Sequence, residues 1–168
     1  MKLLYIARHA KSSWDLSGIS DHERPLIEKG IKRTKLIGDY LLKNNAKPDL
    51  IISSFAVRAY ETAALIAESL SYPKENIQVE NNLYHSNVDI LFDLIYGLSD
   101  SVNSVMMVGH NPTFTEFSNY FLKDKIDWLP TSAVVCVSFD TDKWGDIHLA
   151  KKRVKFVISP KLLRQKSK

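Results

Sequence analysis

Two arginines and two histidines stand where phosphorus chemistry would need them. Arg8-His9 closes the apolar run Leu3-Leu4-Tyr5-Ile6-Ala7, and His110 follows Val105-Met106-Met107-Val108-Gly109. Arg58 comes shortly after Leu50-Ile51-Ile52, in the first turn of a helical pattern. A neutral imidazole held in one tautomer is a nucleophile toward phosphorus. A guanidinium offers phosphate oxygens a planar fork of donors. Phosphoryl transfer needs both, with cations around the equatorial oxygens and the nucleophile in line with the leaving group. Each residue alone has a plainer reading. Arg-His is also an ordinary loop start, Arg58 an exposed arginine, and His110 a hydrogen-bonded structural histidine. Arg58 opposes its helix dipole, which makes sense if an anion binds at that helix end. Recurrence at three similar positions favours the chemical reading.

The elements that must position these residues follow from the pattern. Short continuous apolar runs read as strands buried on both faces. Residues 3–7, 49–54 and 104–110 fit this, and 77–79 reads as a short edge strand. Helical stripes lie at 31–43, 57–70 and 88–98, and another helix opens at Asn111-Pro112-Thr113. Ser53 or Ser54 suits an N-cap before the second helix. Gly109 is placed to let backbone approach a ligand. Residues 133–139 and roughly 147–158 complete the sheet, with Asp140–Gly145 as a hairpin turn. Strands alternating with helices predict a mostly parallel sheet covered on both faces. Ligands bind at the carboxyl ends of such strands. The loop 11–30, with Asp15, Asp21, His22, Glu23, Arg24 and Pro25, has the length of a functional or disordered segment.

The 168 residues, 45% hydrophobic and 25% charged, fit one ordinary globular domain over 1–160 with a basic, flexible tail at 161–168. No apolar run approaches the roughly 20 residues of a membrane span. The N-terminus enters a strand directly, without signal-peptide regions, so a cytoplasmic location is expected. The net charge of +4 is unevenly spread. Of the 23 Lys and Arg, eight fall in 151–168 with no acid among them, and the remaining 15 face 19 acidic residues. The single cysteine, Cys136, lies in Ala133-Val134-Val135-Cys136-Val137 and reads as buried and structural. A cysteine phosphatase would want an arginine six residues on, where Asp142 stands.

The chain resembles the histidine phosphatase (phosphoglycerate-mutase-like) superfamily, and within it the small SixA-type phosphohistidine phosphatases. The residues that carry the resemblance are Arg8-His9-Ala10-Lys11-Ser12-Ser13-Trp14, Asp21 with Arg24-Pro25-Leu26 and Gly30, Pro48-Asp49 with Ser53-Ser54, Arg58-Ala59 with Thr62-Ala63, and Val108-Gly109-His110-Asn111-Pro112. They cover residues 1 to about 120 in order. The resemblance implies a three-layer α/β/α sandwich. It implies that His9 is the nucleophile, that Arg8 and Arg58 bind the phosphoryl oxygens, and that His110 completes the pocket. Lys11 and Ser12 would line its mouth. It implies no metal and no organic cofactor, and a phosphorylated protein or a small phosphate ester as partner. No nucleic-acid partner is expected, for want of a basic face interleaved with aromatics, and no membrane, for want of a spanning apolar run.

Two departures bear on the substrate. Arg-His-Ala replaces the more usual Arg-His-Gly. The stretch Leu83-Tyr84-His85-Ser86 holds no carboxylate where many relatives carry an acid that protonates an alcohol leaving group. General acid catalysis is worth about 10²–10⁴-fold. Without it, an easily departing group such as the imidazole of phosphohistidine is favoured. Asp15, Asp21, Glu23 or His85 are alternative proton donors. The competing readings are a phosphomonoesterase for small or sugar phosphates, a metal-dependent phosphatase built on Asp140-x-Asp142, and an anion-binding module using the basic C-terminus.

Overall fold

The computed structural model describes residues 1–14 and 17–167. Among these, β1 (Lys2–Arg8), β2 (Leu50–Ser53), β3 (Gln78–Val79), β4 (Ser104–Gly109), β5 (Val134–Phe139) and β6 (Lys152–Ile158) form a sheet in the order β3-β2-β4-β1-β5-β6. The first four strands pair in parallel; β5 runs antiparallel to both β1 and β6.

Alternation along the strands sorts the core into two layers. Tyr5, Ala7, Ile51, Met106 and Val108 pack against α1 (Glu28–Lys43) and α2 (Val57–Ser69) through Ile37, Leu41, Ala59 and Ala63. Leu4, Ile6, Ile52, Val105 and Met107 face α3 (Val88–Tyr96) and α4 (Thr113–Asn119) through Leu91, Ile95, Phe114 and Phe117. The result is the expected three-layer sandwich with a mostly parallel sheet. Each fully buried Leu, Ile, Val, Met or Phe side chain among these contributes about 1.5–3 kcal/mol.

Three local expectations change. Of the segment 161–168, expected as a flexible tail, Lys168 lies outside the described residues and 161–166 lie in a helix, α5 (Pro160–Lys166). Ser159 Oγ accepts the Leu162 N–H at its start, and Leu163 packs on the α1/α2 layer. Residues 140–151 form a longer link than a hairpin turn, because Trp144 leaves the surface for the core and its Nε1–H donates to the Val102 carbonyl at 2.7 Å. At Gly109 a Cβ would sit 2.5 Å from the Phe114 ring, so this glycine makes room for a core phenylalanine rather than for a ligand.

Asp140 and Asp142 lie at the carboxyl end of β5, opposite the ends of the parallel strands, and Asp142 pairs with the N-terminal amine. Among the described residues no cluster of acidic, histidine or cysteine side chains is arranged to hold a metal ion. No helix among them is long and apolar enough to cross a membrane.

Candidate active site

The chain leaves β1 for α1 on one face and β4 for α4 on the other. A crevice therefore opens where these neighbouring strands end. His9, Ser54 and His110 each lie one residue beyond β1, β2 and β4. Backbone register brings the three together: Arg8 pairs with Gly109, and Ser53 with Val108.

His9 is fixed from several sides. Its N–H donates to the Gly109 carbonyl at 3.0 Å, and its carbonyl accepts from Ser132 N–H at 3.2 Å. Its Nδ1–H donates to the Ala10 carbonyl at 2.7 Å. That bond selects the tautomer and leaves the Nε2 lone pair free. Burial pushes the His9 pKa down to about 3, against the pull of the Ala10 bond and with help from Arg8, Arg58 and Arg24. The ring is neutral at pH 7. His110 stands 5.1 Å away between ring centroids and shares a 2.8 Å hydrogen bond with Ser54 Oγ through Nε2. Burial, then the neighbouring His9 and Arg58, push its pKa down to about 3 as well.

Three guanidinium groups surround the pair. Arg8 donates to the Leu129 carbonyl at 3.0 Å and lies near Trp128. Burial and the charge of Arg58 lower its pKa. The buried Nε atoms of Arg8 and Arg58 have no hydrogen-bond partner among the described residues. Unpaired buried donors are costly unless something occupies them. Arg58 spends its terminal nitrogens on the carbonyl and Oδ2 of Asp21, at 2.8 and 3.0 Å. Arg24 binds Asp21 Oδ1 at 3.0 Å and Ser12 Oγ at 2.8 Å, and stacks on Trp14 at 3.8 Å.

Asp21 is thus a clamp. Burial raises its carboxyl pKa, but bonds from Tyr84, Arg58 and Arg24 outweigh this and hold it well below the usual carboxylate range. The cleft has two adjoining lobes of about 410 and 370 Å³ that share Asp21, Arg58, His110 and Asn111. Asp21 is the one carboxylate among the described lining residues.

The model for "Histidine phosphatase superfamily (branch 1)" matches residues 4–88. The chain belongs to this superfamily. His110 lies beyond the matched segment and joins the site through the register of β4. An uncharacterised protein of Mycobacterium tuberculosis is 34% identical over 106 residues, covering 63% of each chain, so this chain spans under two thirds of that relative's length. A chloroplastic protein of Arabidopsis thaliana is 30% identical over 122 residues, 67% of this chain and 56% of the other. The structure of the protein histidine phosphatase SixA with tungstate superposes with a TM-score of 0.81 at 22% identity, covering 96% of this chain and 99% of that one. A candidate phosphohistidine phosphatase SixA from Agrobacterium tumefaciens superposes at 0.78 with 25% identity, covering 95% and 98%. The fold is that of the phosphoglycerate-mutase-like proteins.

Within this superfamily fold, Arg8, His9, Arg58 and His110 come together, with Lys11 and Ser12 on the same cavity wall. Ser12 differs from expectation in one respect, because its hydroxyl accepts from Arg24. Of the alternative proton donors, Asp21 is clamped and His85 lines the second lobe. Glu23 bonds Ser20 and is absent from both described linings. Asp15 lies outside the described residues. Sequence reasoning assigned no role to Arg24 or Tyr84, offered Asp21 only as an alternative proton donor, and gave Ser54 no role at the site beyond a candidate cap. The opposite charges of Asp21 and Arg24, three apart in a proline-bearing loop, were the available signal for the clamp. Nothing local marks Tyr84 or Ser54 as partners of Asp21 and His110, since both contacts close over more than 50 residues.

Proposed function

We propose that this protein is a phosphatase that removes the phosphoryl group from protein phosphohistidine through a covalent intermediate on His9. The observation that carries the reading is His9 itself: buried, neutral, locked by the Ala10 carbonyl, and flanked by arginines with unpaired buried donors.

In the first step the His9 Nε2 lone pair attacks phosphorus as the P–N bond to the substrate breaks. Arg8 and Arg58 hold the phosphoryl oxygens, and His110 stabilises their charge. The substrate imidazole, protonated from solvent on its other nitrogen, departs as the neutral ring. Water then attacks phosphorus, the bond to His9 Nε2 breaks, and phosphate leaves with His9 restored. Neither step draws a proton from a cleft carboxylate, which suits a lining whose described carboxylate stays ionised. A phosphomonoester would instead need a donor for its alkoxide. His85, on the wall of the second lobe and against Tyr84, supports that second reading.

The test is phosphate release from a phosphohistidine peptide with chelator present, using folded His9→Ala as control. Turnover with chelator that is lost in the variant supports the proposal. Turnover of a sugar phosphate alone, abolished by His85→Asn, selects the second reading.

A further inference from the structure

The cleft holds more positive charge than a single phosphoryl group needs. Beyond Arg8 and Arg58, its larger lobe is also walled by Lys11 and Arg33. These come from different elements held in contact. The Lys11 carbonyl accepts the Ile27 N–H at 3.1 Å, and a Cβ on Gly30 would lie 2.3 Å from that carbonyl oxygen. Gly30 therefore lets α1 press directly on the loop after β1, and the helix carries Lys29 and Arg33 beside Lys11. Among the described residues none of these three cations has a carboxylate within ion-pair distance, and the buried Arg33 Nε has no hydrogen-bond partner. The charges of Arg33 and Lys11 lower the pKa of Lys29, as expected of cations facing one another without an intervening anion. This cluster occurs in a chain whose first 150 residues are net acidic.

We infer that Lys11, Lys29 and Arg33 form a second anion subsite that reads acidic residues flanking the phosphohistidine of a protein substrate; this rests on the phosphohistidine reading above. The cations run from the cavity wall at Lys11 and Arg33 to the exposed Lys29, an arrangement suited to carboxylates spaced along a chain rather than to one compact ion. Trp14 and Trp128, 79% and 55% exposed, border the same lobe. Exposed tryptophan and arginine together are the composition of protein-binding surfaces.

The experiment uses two phosphohistidine peptides that differ only in Asp/Glu or Asn/Gln on either side of the modified residue. The wild-type protein should prefer the acidic peptide by about 3- to 10-fold in kcat/KM, the range of one or two partly exposed charge pairs. The preference should shrink as salt rises. In Arg33→Gln/Lys29→Gln it should fall to near one. An equal response of wild type to both peptides overturns the subsite, as does a preference that survives in the variant. If neither peptide is turned over, the same pair is scored as competitors of aryl phosphate hydrolysis. An acidic preference there keeps the subsite while the phosphohistidine reading falls, and equal competition overturns the subsite too. An Arg33-dependent gain seen with a small bisphosphate, and with neither peptide, overturns the protein substrate.

Discussion

His9 must be unprotonated to attack phosphorus, and its burial among arginines keeps it so far below the ordinary histidine range. A steady-state pH profile, corrected for the substrate's own ionisation, should therefore show no loss of kcat/KM near pH 6.5. A histidine-like inflection there would show that the ring is not held neutral. Arg58 carries charge to the phosphoryl group, so Arg58→Ala should lower kcat/KM by about 10²–10³-fold, with KM and kcat both affected. Initial-rate kinetics on the folded variant check this. Asp21 acts differently, as the anion that orients Arg58 and Arg24. Asp21→Asn should weaken substrate binding without moving the acidic limb of the pH profile. A shifted limb would instead make Asp21 a proton donor.

At the scale of elements, a hydrogen-bond relay joins the nucleophile's loop to the helix that carries Arg58. Thr62 Oγ1 accepts the Ala10 N–H at 2.8 Å and donates to the Arg58 carbonyl at 2.7 Å. Thr62→Val keeps the shape but strands a buried Ala10 N–H. It should cost about 1–3 kcal/mol, read by denaturant unfolding, and should lower kcat because the Ala10 carbonyl sets the His9 tautomer. The strands that bear the site were legible because β1, β2 and β4 are continuous apolar runs buried on both faces. The segment after β5 was not. Trp144 is buried by Val102 and Lys2 from distant parts of the chain, and no local pattern marks that. The same holds for α5, whose Leu163 finds its partners on the α1/α2 layer. Arg8, His9, Arg58 and His110 could be found because each ends or follows a strand in sequence. The Asp21 clamp could not be assembled because Tyr84 and Arg58 reach it only in the folded chain.

For the molecule as a whole, the buried neutral histidines link folding to pH. In the folded state His9 and His110 take up protons only near pH 3, whereas the unfolded chain binds them near 6.5. Between those values the unfolded state holds more protons, so stability falls as pH drops from about 6.5 toward 3 and is recovered on raising it. Thermal unfolding across that window should show a falling Tm, and His110→Asn should flatten the slope. A slope unchanged in that variant would place the linkage elsewhere. Charge is also segregated over the surface. The exposed β6 edge carries Lys152, Arg153 and Lys155, a pattern that discourages strand addition at an open edge. The cleft gathers a second basic group at the opposite end of the parallel strands.

The most direct test of the account is to quench the reaction with a ³²P-labelled phosphohistidine peptide within one turnover and map the label on the protein. The account predicts an acid-labile, alkali-stable phosphoramidate on His9, absent in His9→Ala. Full turnover by folded His9→Ala, or a label on another residue that forms and decays at the catalytic rate, would contradict it.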